Sequence, residues 1–516
     1  MPCRPGPVWY NFLVVSYPED VLLCLKVLEA IAEDRSVLAR VPGEVRAALL
    51  RSAGRVGSPT SLDRRRLSRR LRAEDKRIGA EKDRRLIAAS AIRRAREAAV
   101  FTPPKPVSLP ASGPGPELSR ARDCYVCKAS FRRAHFFYDS MCPACGDFNH
   151  AKRGQSADLS GRTAVITGAR VKIGYQAALK LLRAGANVVA TTRFPHDAAL
   201  RYSREPDFGA WKDRLRVHGL DLRHSPSVEI FCKYLDSRLK GLDFLLNNAA
   251  QTVRRPPAFY AHLLEGEALP PAPEAAPLLE SHAALRAALG APRPAHDSAD
   301  PTGIAVWHSG GPGVGVRESA RLSQIKYGYS AEDLAEGAFP AGKTDADLQQ
   351  VDLRAKNSWR MTLAEVSTAE MLELQLINSV APFVLCAKLK PLMLRSPGRD
   401  KHVVNVSAME GSFSRGTKTE KHPHTNMAKA ALNMMTLTSA QDYVRDGIHM
   451  NAVDTGWVTD EDPALHAARK KDELDFQPPL DIVDGAARIC DPIFSGMLAG
   501  EHAWGKFFKD YRPTSW

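Results

Sequence analysis

"RTAVITGARVKIGYQAALKLLRAGANVVATTR", residues 162–193, runs from an apolar β-branched stretch through a glycine-containing turn and an amphipathic stretch to a second apolar run. That order predicts a βαβ unit, with a strand at each end and a helix between them. The predicted helix begins near Ile173 and Gly174, and its exposed backbone N–H groups suit a pyrophosphate. From "LSG" (159–161) to the end of the chain, strands and helices alternate, which predicts an α/β fold with a doubly wound, parallel Rossmann-type sheet.

One long interruption, from about Thr252 to Arg360, is rich in Ala, Pro and Leu and carries the loop "SGGPGVGV" (309–316). α/β connections are usually about 2–6 residues, so this stretch is expected to be an insertion with structure of its own or a lid. Its glycines resemble a phosphate loop only faintly, since no clear strand-loop-helix unit surrounds them. Arg254 and Arg255 stand at its start, where they either bind an anionic substrate or pair with the protein's own acids.

Upstream, residues 1–100 read as a helical, basic region, starting with "PEDVLLCLKVLEAIAED", then "PGEVRAALLRSA", then a long helix from Ser61 to Val100. Residues 61–97 hold 14 Arg and Lys against 6 Asp and Glu, more than half of the chain's net charge of +14. Such a helix either neutralises phosphates on a nucleic acid or is a solvated face with i,i+4 ion pairs. With no aromatic residue in 61–97 there is no stacking platform, and the solvated face is the expectation. Residues 101–119 read as a Pro, Gly and Ser linker.

"CYVCKASFRRAHFFYDSMCPACG" follows, with Cys124-x2-Cys127 and Cys142-x2-Cys145. Two such pairs complete a tetrahedral thiolate site with no open position, so a zinc-ribbon-like module with a structural ion is expected over 120–157. The other five of the nine cysteines are expected to be buried small hydrophobes. A length of 516 residues, 44% apolar and 25% charged, predicts a folded chain of two or three domains. The amino-terminal stretch lacks a signal-peptide apolar run and no segment reads as a membrane span, so a cytosolic protein with no membrane partner is expected.

The region 158–516, less the insertion, resembles the short-chain dehydrogenase/reductase family. The family's TGxxxGxG turn corresponds to Thr167-Gly168-Ala169-Arg170-Val171-Lys172-Ile173-Gly174, with Lys172 where the middle glycine usually stands. Asp221 in "GLDL" resembles the aspartate that contacts adenine, and "NNAA" (247–250, with Asn248) the family's NNAG-like strand end. Asn378 falls at its catalytic asparagine, and "NAVDTGWVT" (451–459, with Gly456) resembles the segment beside the nicotinamide, with Thr455 for proline. The resemblance implies a nicotinamide cofactor and a homo-oligomer. Arg193, ending the second strand where an acid would favour the ribose 2′-hydroxyl, points to NADP, with NAD also possible.

In "NVSAMEGSFSRGTKTEKHPHTNMAKAA" (405–431) the family's Y-x-x-x-K places its lysine on Lys429 and its tyrosine on Thr425. Ala408 stands where the catalytic serine usually lies, which leaves Ser407 as the nearest hydroxyl. A threonine is a far weaker acid than a phenol. Replacement proton carriers are sought in His424, His422 and Glu410, or in Tyr511 near the carboxyl end. Lys429 also belongs to the expected cofactor site. The expected function is an NADP-dependent oxidoreductase on an unknown carbonyl or alcohol, with an altered proton relay. The alternatives are a nucleotide-binding regulator or scaffold without turnover, and a nucleic-acid or protein adaptor using the ribbon and the basic helix.

Overall fold

The computed structural model describes residues 18–98, 100–103, 115–289, 311–326, 329, 333, 335 and 337–516. The amino-terminal stretch before residue 18, most of the expected linker and the start of the "SGGPGVGV" loop lie outside them. The chain divides into two units, Met1–Ala80 and Glu81–Trp516.

In the first unit, helices Pro18–Glu33 and Gly43–Gly57 are followed by the start of Ser61–Ala88. No described residue of this unit is buried. The basic stretch expected as one helix is two, Ser61–Ala88 and Ala91–Glu97, broken at Ser90, which adopts an extended backbone. The second of these belongs to the large unit, where Ile87 and Ile92 are core residues.

The large unit opens with an antiparallel pair, β1 (Glu117–Asp123) and β2 (Ser130–Arg133), followed by helix Pro143–Gly154. Strand β1 begins inside the stretch expected as linker, because Leu118 enters the core and the Ser119 and Arg120 amides bond Asp83. An eight-stranded sheet follows: β3 (Thr163–Thr167), β4 (Asn187–Thr192), β5 (Leu215–Gly219), β6 (Phe244–Asn247), β7 (Lys401–Ser407), β8 (Ile448–Asp454), β9 (Phe507–Lys509) and β10 (Arg512–Thr514). Its order is β10-β9-β8-β7-β6-β3-β4-β5, parallel throughout except for the final β9–β10 pair. Strands such as "KHVVNVS" are buried at every position, as a sheet covered on both faces requires.

Helices Lys172–Arg183 and Ile482–Ala499 pack on one face of the sheet, and Ser225–Arg238, Ala381–Arg395 and Pro423–Arg445 on the other. The run Thr368–Arg395 is long and apolar enough by composition to cross a membrane; half of it is buried, and it serves here as a core helix. The chain runs β3-β4-β5 outward and returns to β6 on the other side of β3, so the strand order reverses at the β3/β6 carboxyl ends. Open α/β sheets bind ligands at such a reversal. The insertion is structured: helix Ala276–Ala288 packs along the β5 edge, helix Pro257–Ala268 packs on helix Pro195–Ser203, and the short turn Val314–Arg317 crosses the end of β5.

Candidate functional site

The reversal point is built around the glycine turn. Gly168 has φ +67°, and a Cβ there would lie 2.8 Å from the Ala249 Cα. At Gly174 a Cβ would lie 2.3 Å from both the Gly168 carbonyl oxygen and the Asn248 Nδ2. The close approach of turn, helix and β6 end therefore depends on both glycines. The Asn248 side chain donates to the carbonyls of Thr167 (2.9 Å) and Gly168 (3.2 Å), and the Thr167 hydroxyl accepts from the Asn248 and Ala249 amides. Among the described residues no side chain caps the helix that starts at Lys172, so its first amides are available to an anion beside Ile173. Lys172 itself adopts φ 55°, the left-handed backbone that a glycine would take, and its ammonium faces Asp347 of the insertion at 4.0 Å. The lysine keeps the course of the turn despite its Cβ.

Further along the strand ends, the side chains expected to meet the adenosine have partners of their own. Arg193 donates to the Tyr260 hydroxyl at 2.6 Å and lies over that ring, 4.5 Å from its centre. Asp221 is fully buried and bidentate with Arg223, and its amide donates to the Gly315 carbonyl at 2.8 Å. Burial opposes the Asp221 charge, but Arg223 holds its carboxyl below the usual range. Arg170 pairs with Asp197 at 2.8 Å. Arg254 pairs with buried Glu373 and Arg255 with Asp352, so both arginines at the start of the insertion face the protein's own acids.

At the other side of the crevice, Asn378 lies in a π turn, Leu376–Val380, of the kind often found at functional sites. Both of its amide groups bond the Gln251 main chain, at 2.8 and 2.9 Å, which fixes the first residues beyond β6. Lys429 is buried on helix Pro423–Arg445, and its Nζ donates to the Val406 carbonyl at 2.8 Å, leaving two further protons on that nitrogen. Burial lowers its pKa to about 8, with the Glu410 carboxylate opposing.

One turn earlier, the Thr425 hydroxyl is buried and has no partner among the described residues; the same is true of Gln251 Nε2. His424 is buried with its Nε2 3.4 Å from the Glu370 carboxylate of helix Thr368–Gln375, and neither ring nitrogen has a hydrogen-bond partner among the described residues. Ser407 donates to Asn433 at 2.5 Å, which commits its hydroxyl to the helix behind the strand. Tyr511 packs on Phe148 and Arg488, against helix Pro143–Gly154. His422 stacks on Trp359 at 4.0 Å. Sequence reasoning missed Asp454, which pairs in register with Ser407 and whose carboxyl is pushed up by burial. Its place in "NAVDTG" was visible, but its burial was not.

The four sulfur atoms of Cys124, Cys127, Cys142 and Cys145 lie within 4.8 Å of one another. The Cys127–Cys142 separation is 3.8 Å, close to the edge of about 3.8 Å that a tetrahedron of zinc–sulfur bonds of ~2.3 Å requires. Among the other cysteines, Cys232, Cys386 and Cys490 are buried as expected and Cys24 is exposed. Cys3 lies outside the described residues.

Two family models match this chain on either side of the insertion: "short chain dehydrogenase" over residues 162–262 and "Enoyl-(Acyl carrier protein) reductase" over 351–477. An uncharacterized protein of Acanthamoeba polyphaga mimivirus, R665, is 30% identical over 389 residues, 72% of this chain and 71% of that protein. The D-beta-hydroxybutyrate dehydrogenase of Cupriavidus necator is 33% identical over 91 residues, which is 18% of this chain and 34% of that enzyme. Among solved structures, a dehydrogenase/reductase from Sinorhizobium meliloti aligns over 68% of this chain and 94% of its own, with 17% identity and a TM-score of 0.41. A short chain dehydrogenase from Burkholderia cenocepacia in complex with NADP aligns over 67% and 98%, with 15% identity and a TM-score of 0.40. The doubly wound sheet, the glycine turn and the two family models define the class. The chain belongs to the short-chain dehydrogenase/reductase family.

Proposed function

We propose that this protein is an NADP(H)-dependent oxidoreductase acting on a carbonyl/alcohol pair, in which Lys429 supplies the proton that a tyrosine supplies elsewhere in the family. The observation that carries this reading is the burial of Lys429, which brings its ammonium to about 8, within reach of neutral-pH proton transfer. The glycine turn fits a dinucleotide, since its two glycines hold the turn against the β6 end and the first amides of the helix that follows have no side-chain cap among the described residues. Its amides, with Lys172, Asn248 and Gly456, would hold the pyrophosphate and nicotinamide ends, and Arg193 a 2′-phosphate once released from Tyr260. Bound NADPH would supply hydride. The unpartnered Thr425 hydroxyl and Gln251 amide nitrogen can orient a carbonyl oxygen. Lys429, held by the Val406 carbonyl, delivers a proton to that oxygen. The four thiolates would hold a zinc ion whose role is structural, because a closed four-sulfur shell leaves no position for substrate.

A second reading, a nucleotide-fold regulator without turnover, is favoured by a separate observation. The insertion lies on the strand ends that the resemblance assigns to adenosine: the Gly315 carbonyl takes the Asp221 amide, Ser319 donates to the Arg193 carbonyl, and Leu322 accepts from Arg223.

Thermal unfolding with millimolar NADPH and NADH, followed by turnover on a panel of aldehydes and ketones, separates the two. The first reading expects a higher midpoint with NADPH, because a ligand of the folded state must stabilise it. It also expects reduction that falls as pH rises through about 8, where Lys429 loses its proton. Lys429→Met should lower kcat at saturating nucleotide by at least ~10²-fold. Binding without turnover gives the second reading, and no binding sinks the first.

A further inference from the structure

The four-cysteine module shares a hydrophobic core with the segment 456–481 that follows β8: Leu118, Cys124, Phe137, Tyr138 and Met141 pack with Val458 and Leu480. Tyr125, between the paired Cys124 and Cys127, places its hydroxyl 3.0 Å from the Trp457 amide, from which it accepts. A Cβ at Gly456 would lie 3.1 Å from that hydroxyl. The far end of the segment is tied as well. Arg93, itself paired with Asp139, donates to the Asp475 carboxylate (2.7 Å) and carbonyl (2.9 Å), and Arg96 donates to the Leu480 carbonyl. Between these ties the segment reaches across the crevice. Glu461 accepts from Thr252 at 3.2 Å, its carbonyl accepts from Asn357 at 2.8 Å, and Asp462 pairs with Arg360.

We infer that the four-cysteine module is a metal-dependent brace for residues 456–481, with Tyr125 as a positioning residue for Gly456 and Trp457. The knuckle that turns Cys124 and Cys127 toward one ion also aims Tyr125 at the β8 end, so an ordered knuckle and an ordered segment go together. This rests on the metal reading of the four thiols and is independent of the Lys429 relay.

Hydrogen–deuterium exchange on the full chain, with zinc measured in parallel, tests it. Removing zinc with a chelator should speed exchange across 456–481 while the amides of β7 stay protected. Tyr125→Phe should keep its zinc and its unfolding midpoint yet exchange the Trp457 amide roughly fivefold faster, the effect of one lost hydrogen bond. Asp475→Asn should loosen the other end, also without loss of zinc. Unchanged exchange in 456–481 after zinc has demonstrably left overturns the inference while the metal reading stands. A wild-type chain that binds no zinc overturns both. Should chelation unfold the whole molecule, the Tyr125→Phe amide decides, and an unchanged rate there counts against the brace.

Discussion

Lys429 is the residue on which electrostatics and chemistry meet. Its folded-state pKa of about 8 lies below the ordinary 10.5, so the native state holds the charged form at a cost. Below about 8 both folded and unfolded chains are protonated and the full cost, roughly 3 kcal/mol by linkage, is present. Between about 8 and 10.5 the unfolded chain binds more protons than the folded one, so stability rises with pH. Denaturant titrations at pH 7, 8.5 and 10 should show that rise from this site, and Lys429→Met should remove its share and be more stable than the parent at pH 7. At Gly174 the constraint is steric. Gly174→Ala forces the turn away from Asn248 and the Gly168 carbonyl, so nucleotide-dependent stabilisation should vanish while the helix behind it persists, as circular dichroism can check.

At the scale of elements, the insertion is tied down by a buried ionic chain. Asp221 pairs with Arg223, Arg223 faces Glu373 at 3.6 Å, and Glu373 pairs with Arg254. All four are buried. Removing one member leaves uncompensated charge, so Glu373→Ala should lower stability by about 3–5 kcal/mol in urea titration. Tyr260→Phe is the gentler probe: it removes the hydroxyl bound by Arg193 but keeps the ring, and should tighten binding of NADPH relative to NADH if Arg193 then turns to the 2′-phosphate. The βαβ unit and its glycine turn were legible in the sequence because short-range spacing sets them. The pairing of Arg193 with Tyr260, 67 residues later, was not, since nothing in local pattern states which helix of the insertion will reach the strand end. The single long basic helix was misjudged at Ser90 for the same kind of reason: Ile92 turns into the core beneath the ribbon, and the chain must bend to put it there.

For the whole molecule, the division at residue 80 has a direct consequence. Since no described residue before it is buried, removing residues 1–58, which leaves helix Ser61–Ala88 entire, should move the unfolding midpoint of the remainder by less than ~2 °C. The ribbon is a different case. Arg153 bonds Asp481 and Asp484, Tyr138 bonds Asp484, and fully buried Arg488 bonds Asn149, so the module and the last long helix share one polar interior. Cys spacing predicted a self-contained staple, whereas packing makes it part of the reductase fold.

The sequence by itself determined the doubly wound sheet, the glycine turn and the four-thiol cluster, because each is written in spacing along a few tens of residues. Only the tertiary structure decided where the remaining polar groups are spent. Ser407 is turned to Asn433 and Asp221 to Arg223, while Lys429 is buried and donates to the Val406 carbonyl. The physical reason is that a side chain's acidity and partners depend on what surrounds it, and those surroundings come from segments far apart in the chain.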